Sequence, residues 1–536
     1  TLRMSFNMDN EPRISVMDKV HFELHYLEYS QNNPIGQLQS LIQPFDLTKP
    51  PLFRAHVLQK DIKQRVLFLD FHHIISDGVS IFNFVKELFD LYSGVTATEK
   101  YAQYRDYIIW EKEMLKRESV FKQKEYWLQK LGEVPPILDL PYDYPRPSLF
   151  HNKGSKLSYT LSAVKSEDLR KLATTKGCTM NVLLFTVYFL LLSKYSGQHD
   201  MVIGIPASVR QHPDLMHSQG MFVNNLPIRI NSSGKDSFET LLEYVKIQIT
   251  DALKYRDYPF DSLVSDLINK RDVSRNPLFD TMFIFQNVPL AEISHENLEL
   301  SVIAFDPGFA KYDISLEILD YNDAIEYSIE YSSRLFKPGT IEQLRRHFEQ
   351  LITAVLFNPA IDVKDIDLLT DEELDYQIGT FNQTEQNTPV DKCIHQLFEI
   401  QAESSPSAVA IVSQGQSITY EDVNRRANEL AAYLKSKGIR HNTPIAVFLK
   451  RSPEFIISVL GILKAGGCFV PIATDFPKER VSYILSNSKS AGVITSNSHI
   501  KYIEGIHQEY ENSDLWIHNV EVPPPLFQHR SFEQSN

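Results

Sequence analysis

Apolar positions along this chain fall into sharply bounded patterns. "QRVLFLDFHH" contains the run Val66 to Phe71, dense in β-formers and bounded by polar residues. Such a run predicts a strand buried on both faces. Directly after it, "SIFNFVKELFDLYSG" sets Ile81, Phe82, Phe84, Val85, Leu88 and Phe89 at helical spacing and closes on Gly94. A helix with a glycine stop is expected there. Helical spacing continues over 104–130. "PPILDLPYDYPRPS" (135–148) carries five prolines, cannot form a regular element, and reads as a crossover linker between two halves. Beyond it the pattern predicts a buried helix near 181–195 and strands at 200–207, 225–230, 278–288 and 325–332. Helices are expected near 237–255 and 338–357.

From about 366 to 390 the sequence turns polar and weakly periodic, as a linker does. A third unit follows. "ITYEDVNRRANELAAYLKSKGI" reads as a turn and a helix ending at Gly438. "TPIAVFLKRSPEFIISVLGILKAGGCFVPI" reads as strand, helix, Gly-Gly turn and strand, a βαβ pattern. Gly466 and Gly467 alone are weak evidence for phosphate binding, and a packing turn is the better reading. The tail "VEVPPPLFQHRSFEQSN" is expected to fray.

Length changes the picture by count: 536 residues exceed one ordinary core and predict three to four compact units. The net charge of −14 argues against a nucleic-acid partner, which needs a basic face. Cys178, Cys393 and Cys468 are scattered, so neither a disulfide framework nor a zinc site is indicated. Cys393 and His395 lack a second ligand pair nearby, and no metal site is expected. Cys178 and Cys468 are expected to act as small buried apolar residues, in a reducing cytoplasm. No apolar run reaches 18 residues, so no membrane-spanning helix is expected. The chain starts without Met or a signal-peptide core, and a fragment of a longer protein is expected.

The candidate chemistry sits where the first strand stops, in "FHHIISDG" (71–78). A histidine at a strand end is more often a satisfied polar side chain than a catalyst. Two histidines with Asp77 four residues on are less usual. Asp77 or Ser76 can cap the helix, Asp77 can orient an imidazole or pair with an arginine, and Gly78 allows a tight bend. A neutral histidine can take a proton at pH 7. The residues themselves lead to a candidate base without a named substrate.

"HHIISDG" resembles the HHxxxDG motif of nonribosomal peptide synthetase condensation domains, which are similar in fold to chloramphenicol acetyltransferase. Further stretches resemble family motifs in order. They are "TLRMSF" at the start, "YRDYIIWE" (104–111), "IGIPASVRQHPDLMHSQGMFVNNLPIR" (203–229), "YRDYPFDSLV" (255–264) and "RDVSRNPLFD" (271–280). Asn225 stands where Thr is usual, and Asp280 where Gln is usual. Together they cover residues 1 to about 370. "ITYEDVNRRANELA" (418–431) and "LKAGGCFVPI" (463–472) look like the first two core motifs of adenylation domains, with "ATDFP" following. The family's phosphate loop, its later ATP-handling motifs and the carrier serine motif do not occur, so the chain is expected to end inside an adenylation domain that is inactive.

The resemblance implies an α/β (α+β) fold of two chloramphenicol-acetyltransferase-like lobes in a V-shaped pseudo-dimer, followed by a partial adenylation subdomain. The boundaries expected are 1–145, 146–368, a linker 369–390, and 391–536. It implies amide formation between a donor acyl or peptidyl thioester and an acceptor aminoacyl thioester. Phosphopantetheine would arrive on upstream and downstream carrier domains, and ATP and Mg would serve only a complete adenylation domain. His73 is the implied catalytic residue, and His72 a structural one donating to backbone. Asp77 is an ion-pair partner that shapes the loop with Gly78, and Arg3, or an arginine before residue 1, is its implied partner. Asn224 and Asn225 are candidates for lining the substrate tunnel. An epimerase-type relative and a non-catalytic docking platform are the alternatives. The first is disfavoured by "VSIFNF" after the motif, the second by the intact His73 and Asp77.

Overall fold

The computed structural model describes residues 1–7, 13–30, 34–95, 101–234, 236–268, 270–286, 300, 305–321, 324–386, 391–508 and 515–522. The chain separates into two units, Thr1–Gln383 and Thr384–Asn536. The first unit opens with an antiparallel pair, β1 (Met4–Asn7) and β2 (Arg13–Val16). Next come β3 (Leu24–Glu28), helix α1 (Pro34–Leu41), β4 (Phe53–Gln59) and β5 (Arg65–Phe71). The three strands form a sheet in the order β3-β4-β5, with β3 parallel and β5 antiparallel to β4. Strand β5 is the apolar run at 66–71, but among the described residues it is an edge strand and not buried on both faces. Helix α2 (Gly78–Tyr92) packs Phe84 against Phe53 and Phe71, at the end near the histidines. Leu67, towards the other end, is 40% exposed. An apolar run reports burial only where a layer exists to cover it. Helix α3 (Tyr104–Met114) follows, and α4 (Glu118–Leu131) sends Trp127 and Leu131 into the core of the second lobe.

The proline-rich crossover has no regular element, yet it is not a loose linker. Leu138 and Leu140 lie in the core of the second lobe. Arg146 pairs with buried Asp313, and the Tyr142 hydroxyl donates to the same carboxylate at 3.1 Å. The second lobe runs β6 (Gly154–Thr160), α5 (Ala163–Thr175), α6 (Met180–Ser196), β7 (Asp200–Ser208) and β8 (Val223–Asn231). It continues with α7 (Phe238–Lys254), α8 (Phe260–Leu267), β9 (Thr281–Gln286), β10 (Ile314–Asp320), β11 (Ile325–Ser332) and α9 (Pro338–Phe357). Among the described residues its sheet has six strands in the order β6-β11-β10-β9-β7-β8. One face of that sheet packs on helices: Ile314, Leu316 and Ile318 alternate inwards along β10. Helix α6 is apolar all round because it is enclosed all round. Every residue from Val182 through Ser193 is buried, with α7 and α9 packed beside it.

The stretch read as a linker from 366 begins with structure. Helix α10 (Asp371–Asp375) starts in a capping box between Thr370 and Glu373. Glu373 accepts from His347 Nε2 of α9 at 2.8 Å, and His347 Nδ1 meets the Tyr195 hydroxyl of α6 at 2.7 Å.

The second unit contains α11 (Ile394–Ser404), a hairpin of β12 (Val409–Ser413) and β13 (Gln416–Thr419), and α12 (Tyr420–Ser436). Strands β14 (Pro444–Val447), β15 (Cys468–Pro471), β16 (Gly492–Thr495) and β17 (Trp516–Asn519) form a parallel sheet in the order β15-β14-β16-β17. Ile445 and Val447 feed one core and Ala446 another, so this sheet is covered on both faces. The Gly466-Gly467 turn is a packing turn. Gly466 adopts φ +86°, and a Cβ on Gly467 would sit 3.1 Å from the Thr443 carbonyl. Cys468 is exposed, not buried as expected, because β15 ends the sheet; Cys393 is exposed at the start of α11. Among the described residues no single helix is long and apolar enough to cross a membrane.

Candidate active site

The histidine motif occupies a single 3₁₀ turn, His73–Ile75, between β5 and α2. His72 caps that turn: its Nδ1 accepts from the Ile74 N–H at 3.1 Å. It is therefore an acceptor, not the backbone donor expected, and its ring packs edge-on against Phe45. Burial, then the neighbouring His73, holds its pKa below the usual imidazole value. His73 Nδ1 lies 2.8 Å from the Ser76 carbonyl. A carbonyl only accepts, so Nδ1 carries the proton and the neutral ring presents its lone pair at Nε2. His73 is exposed, and that lone pair is open to an incoming group.

Asp77 is the anchor. It caps α2, accepting from the Ser80 N–H at 2.7 Å. Its carboxylate also accepts from Arg210 Nη2 at 2.8 and 3.1 Å and from the Phe222 N–H at 3.1 Å. The side chains of Asp77 and Arg210 are 2% and 1% exposed. Arg210, from the segment linking β7 to β8, is thus the partner, and Arg3 is not: Arg3 is exposed and donates to the Asp18 carbonyl. Arg210 also donates to the Leu215 and Ser218 carbonyls and to Ser80 Oγ, and lies over the Phe222 ring.

The 210–222 segment is keyed into the first lobe at several points. Ser80 Oγ donates to the Gly220 carbonyl at 2.9 Å and accepts from the Gly220 N–H at 3.0 Å. The Tyr104 hydroxyl, its pKa pushed up to about 12 by burial and then by Glu111, donates to the Met221 carbonyl at 3.0 Å. A Cβ on Gly220 would sit 2.3 Å from the Tyr104 ring, so glycine is required for the close approach.

Gly78 does not play the part expected of it. Its φ is not in the left-handed region, and the nearest atom to a Cβ built on it is Gln286 Oε1 at 3.8 Å. The bend needs no glycine; what Gly78 does is leave the space beside Gln286 open. Asn224 is committed to backbone: its Nδ2 donates to the Arg256 and Tyr258 carbonyls at 2.8 and 2.7 Å, and its Oδ1 accepts from the Phe260 N–H at 3.0 Å. It clasps the 256–260 loop. Asn225, half-buried, is on the opposite face of β8. The fold brings His72, His73, Asp77 and Gly78 together as expected of neighbours. It adds Arg210, Ser80 and Gln286, which sequence reasoning missed. The "SVRQHPDLMHSQGMF" stretch signalled Arg210, since it holds an arginine within a motif of the other lobe.

The Condensation domain family model matches residues 1–377. The chain belongs to the condensation-domain family. The model for AMP-binding enzymes matches residues 398–530, so the condensation domain is followed by the N-terminal part of an adenylation fold. Among curated relatives, gramicidin S synthase 2 of Brevibacillus brevis is 38% identical over 505 residues, 93% of this chain and 11% of that protein. Bacitracin synthase 3 of Bacillus licheniformis is 36% identical over 523 residues, 97% of this chain and 8% of that protein. The chain thus spans about a tenth of the length of these relatives. A four-domain nonribosomal peptide synthetase bound to AMP and glycine superposes with a TM-score of 0.83 at 20% identity, over 97% of this chain and 40% of that one. The X-domain from teicoplanin biosynthesis superposes at 0.61 and 23% identity, over 69% of this chain and 86% of that one. The fold is that of synthetase condensation domains, the chloramphenicol-acetyltransferase-like fold.

Proposed function

We propose that this condensation domain forms an amide bond between a donor acyl or peptidyl thioester and the amine of an acceptor aminoacyl thioester. Both are carried on phosphopantetheine arms of carrier domains in a larger cytoplasmic synthetase. The observation that supports this reading most is the free Nε2 lone pair of His73, exposed at the mouth of α2 while its loop is pinned by buried Asp77 and Arg210.

An α-amine has a pKa near 8, so about a tenth is neutral at pH 7 without help. Its lone pair attacks the donor carbonyl and the C–N bond forms. The nitrogen then gives up a proton, the C–S bond breaks, and the departing sulfur ends as a thiol. His73 Nε2 takes the proton from nitrogen and returns it to sulfur. Proton transfer of this kind is worth roughly 10²- to 10⁴-fold. Asp77 holds the loop and carries no proton. The chain itself holds no cofactor in this scheme; phosphopantetheine enters with the carriers.

The test is His73→Ala in the synthetase that contains this chain, with both carriers loaded and the downstream carrier read by mass spectrometry. Elongation should fall by at least about a hundredfold. Transfer at the wild-type rate by a normally folded variant would remove His73 from the chemistry. The adenylation portion of these 536 residues contains no phosphate-loop motif, and ATP with Mg would act only where that loop is supplied. This chain alone should therefore show only background amino-acid-dependent pyrophosphate–ATP exchange.

A further inference from the structure

The face of the second lobe's sheet opposite its helices carries polar side chains in register. Glu317 on β10 stands beside Ser328 on β11 and Ile284 on β9. Its carboxylate accepts from Lys156 Nζ at 2.5 Å, from Ser328 Oγ at 3.3 Å and from Gln286 Nε2 at 2.8 Å. The ion pair is partly accessible, with side chains 24% and 22% exposed. Because a carboxylate only accepts, Gln286 must turn its NH₂ to Glu317 and its Oε1 away. That Oε1 lies 3.8 Å from the Cβ position of Gly78, within the histidine motif. It has no hydrogen-bond donor among the described residues, although it is aimed by an ion pair behind it.

We infer that Gln286 is a substrate-positioning residue: its Oε1 accepts one N–H of the acceptor amine while the other N–H faces His73 Nε2. The inference rests on the proposed amide-forming reaction and names the class of nucleophile the site is built for, a primary amine. Such a nitrogen has two N–H bonds and one lone pair. Fixing both N–H bonds leaves the lone pair one direction, towards the donor carbonyl. A secondary amine, with one N–H, engages His73 and leaves Gln286 without a partner. Lys156 and Glu317 act through Gln286 and hold its carboxamide in the orientation that presents oxygen.

The experiment compares a primary-amine acceptor with its N-methylated counterpart, each loaded on the downstream carrier of the full synthetase. Wild type should prefer the primary amine. Gln286→Ala and the near-isosteric Gln286→Met should slow the primary amine about tenfold, the worth of one hydrogen bond, and leave the N-methylated acceptor unchanged. The preference should collapse. Either variant, folded by thermal melting, overturns the inference if it slows both acceptors equally or neither. A His73→Ala variant run in parallel separates the two levels. If it too transfers normally, the reaction assigned to the site is wrong, whereas loss in His73→Ala with an unchanged preference in the Gln286 variants removes Gln286 alone.

Discussion

The two lobes of the first unit keep their order by different means. The second lobe has a six-stranded sheet and an enclosing set of helices, and its core draws on nearly every element from Trp127 to Ile366. Among the described residues the first lobe has a three-stranded sheet with an exposed β3, and the apolar cluster beneath the histidines is small: Met4, Phe6, Leu52 and Ile75, with partly buried neighbours. A lobe with so little apolar burial cannot fix a loop through packing alone. It borrows order through a buried charge pair and the 210–222 segment. The histidine proposed to be catalytic thus belongs to one lobe and the anchor of its loop to the other.

The sharpest break in this comparison is functional. His73→Ala should lower transfer by about 10²- to 10⁴-fold while leaving thermal melting nearly unchanged, since His73 is exposed and makes one backbone hydrogen bond. Next comes the borrowed anchor. Arg210→Ala strands a buried carboxylate and should cost about 3–5 kcal/mol, with transfer per folded molecule also reduced. Leu191→Ala in α6, fully buried, should cost a similar 2–5 kcal/mol without changing transfer per folded molecule. Urea unfolding and single-turnover transfer on both variants would show whether the anchor couples to the site as the core does not.

A smaller effect sharpens the account of the second lobe. Asp280 stands where the resembled motif has Gln, and burial, then Asp313, pushes its pKa up to about 6. A carboxyl with a folded pKa above its unfolded value favours folding most below about pH 4, and that contribution is lost as pH rises to about 6. Asp280→Gln removes it. The stability of the variant relative to wild type should improve by about 1–3 kcal/mol between pH 4 and pH 6, measured by urea midpoints. The smallest effect is expected from His72→Ala, which loses the turn's cap and ~1 kcal/mol of hydrogen bonding, with transfer largely retained.

What could be read from sequence was local. The strand, the turn and the helix around the histidines follow from periodicity, and Asp77 caps where a cap was expected. Strands β7, β8 and β11 and helices α6, α7 and α9 are likewise visible as apolar patterns. Strand β6, "GSKLSYT", is not, because one of its faces carries Ser and Lys towards the polar side of the sheet. The partner of Asp77 was unreadable for a different reason: 133 residues separate it from Arg210, and no periodicity reports a contact across two lobes. Gly78 misled because glycine signals a bend from sequence and an open space from structure.

The bridge from Tyr195 through His347 to Glu373 bears on where such a protein can be cut and rejoined. His347 is buried, and Glu373 supplies the acceptor for its Nε2. A chimera spliced just after Ile366 would delete that acceptor and leave an imidazole N–H in the interior with nothing to receive it. A splice placed beyond Phe381 keeps the bridge whole. By this geometry the exchangeable part does not end where apolar periodicity fades but a helical turn or two later, and engineered synthetases joined at the earlier point would carry a strained seam in the unit they meant to leave untouched.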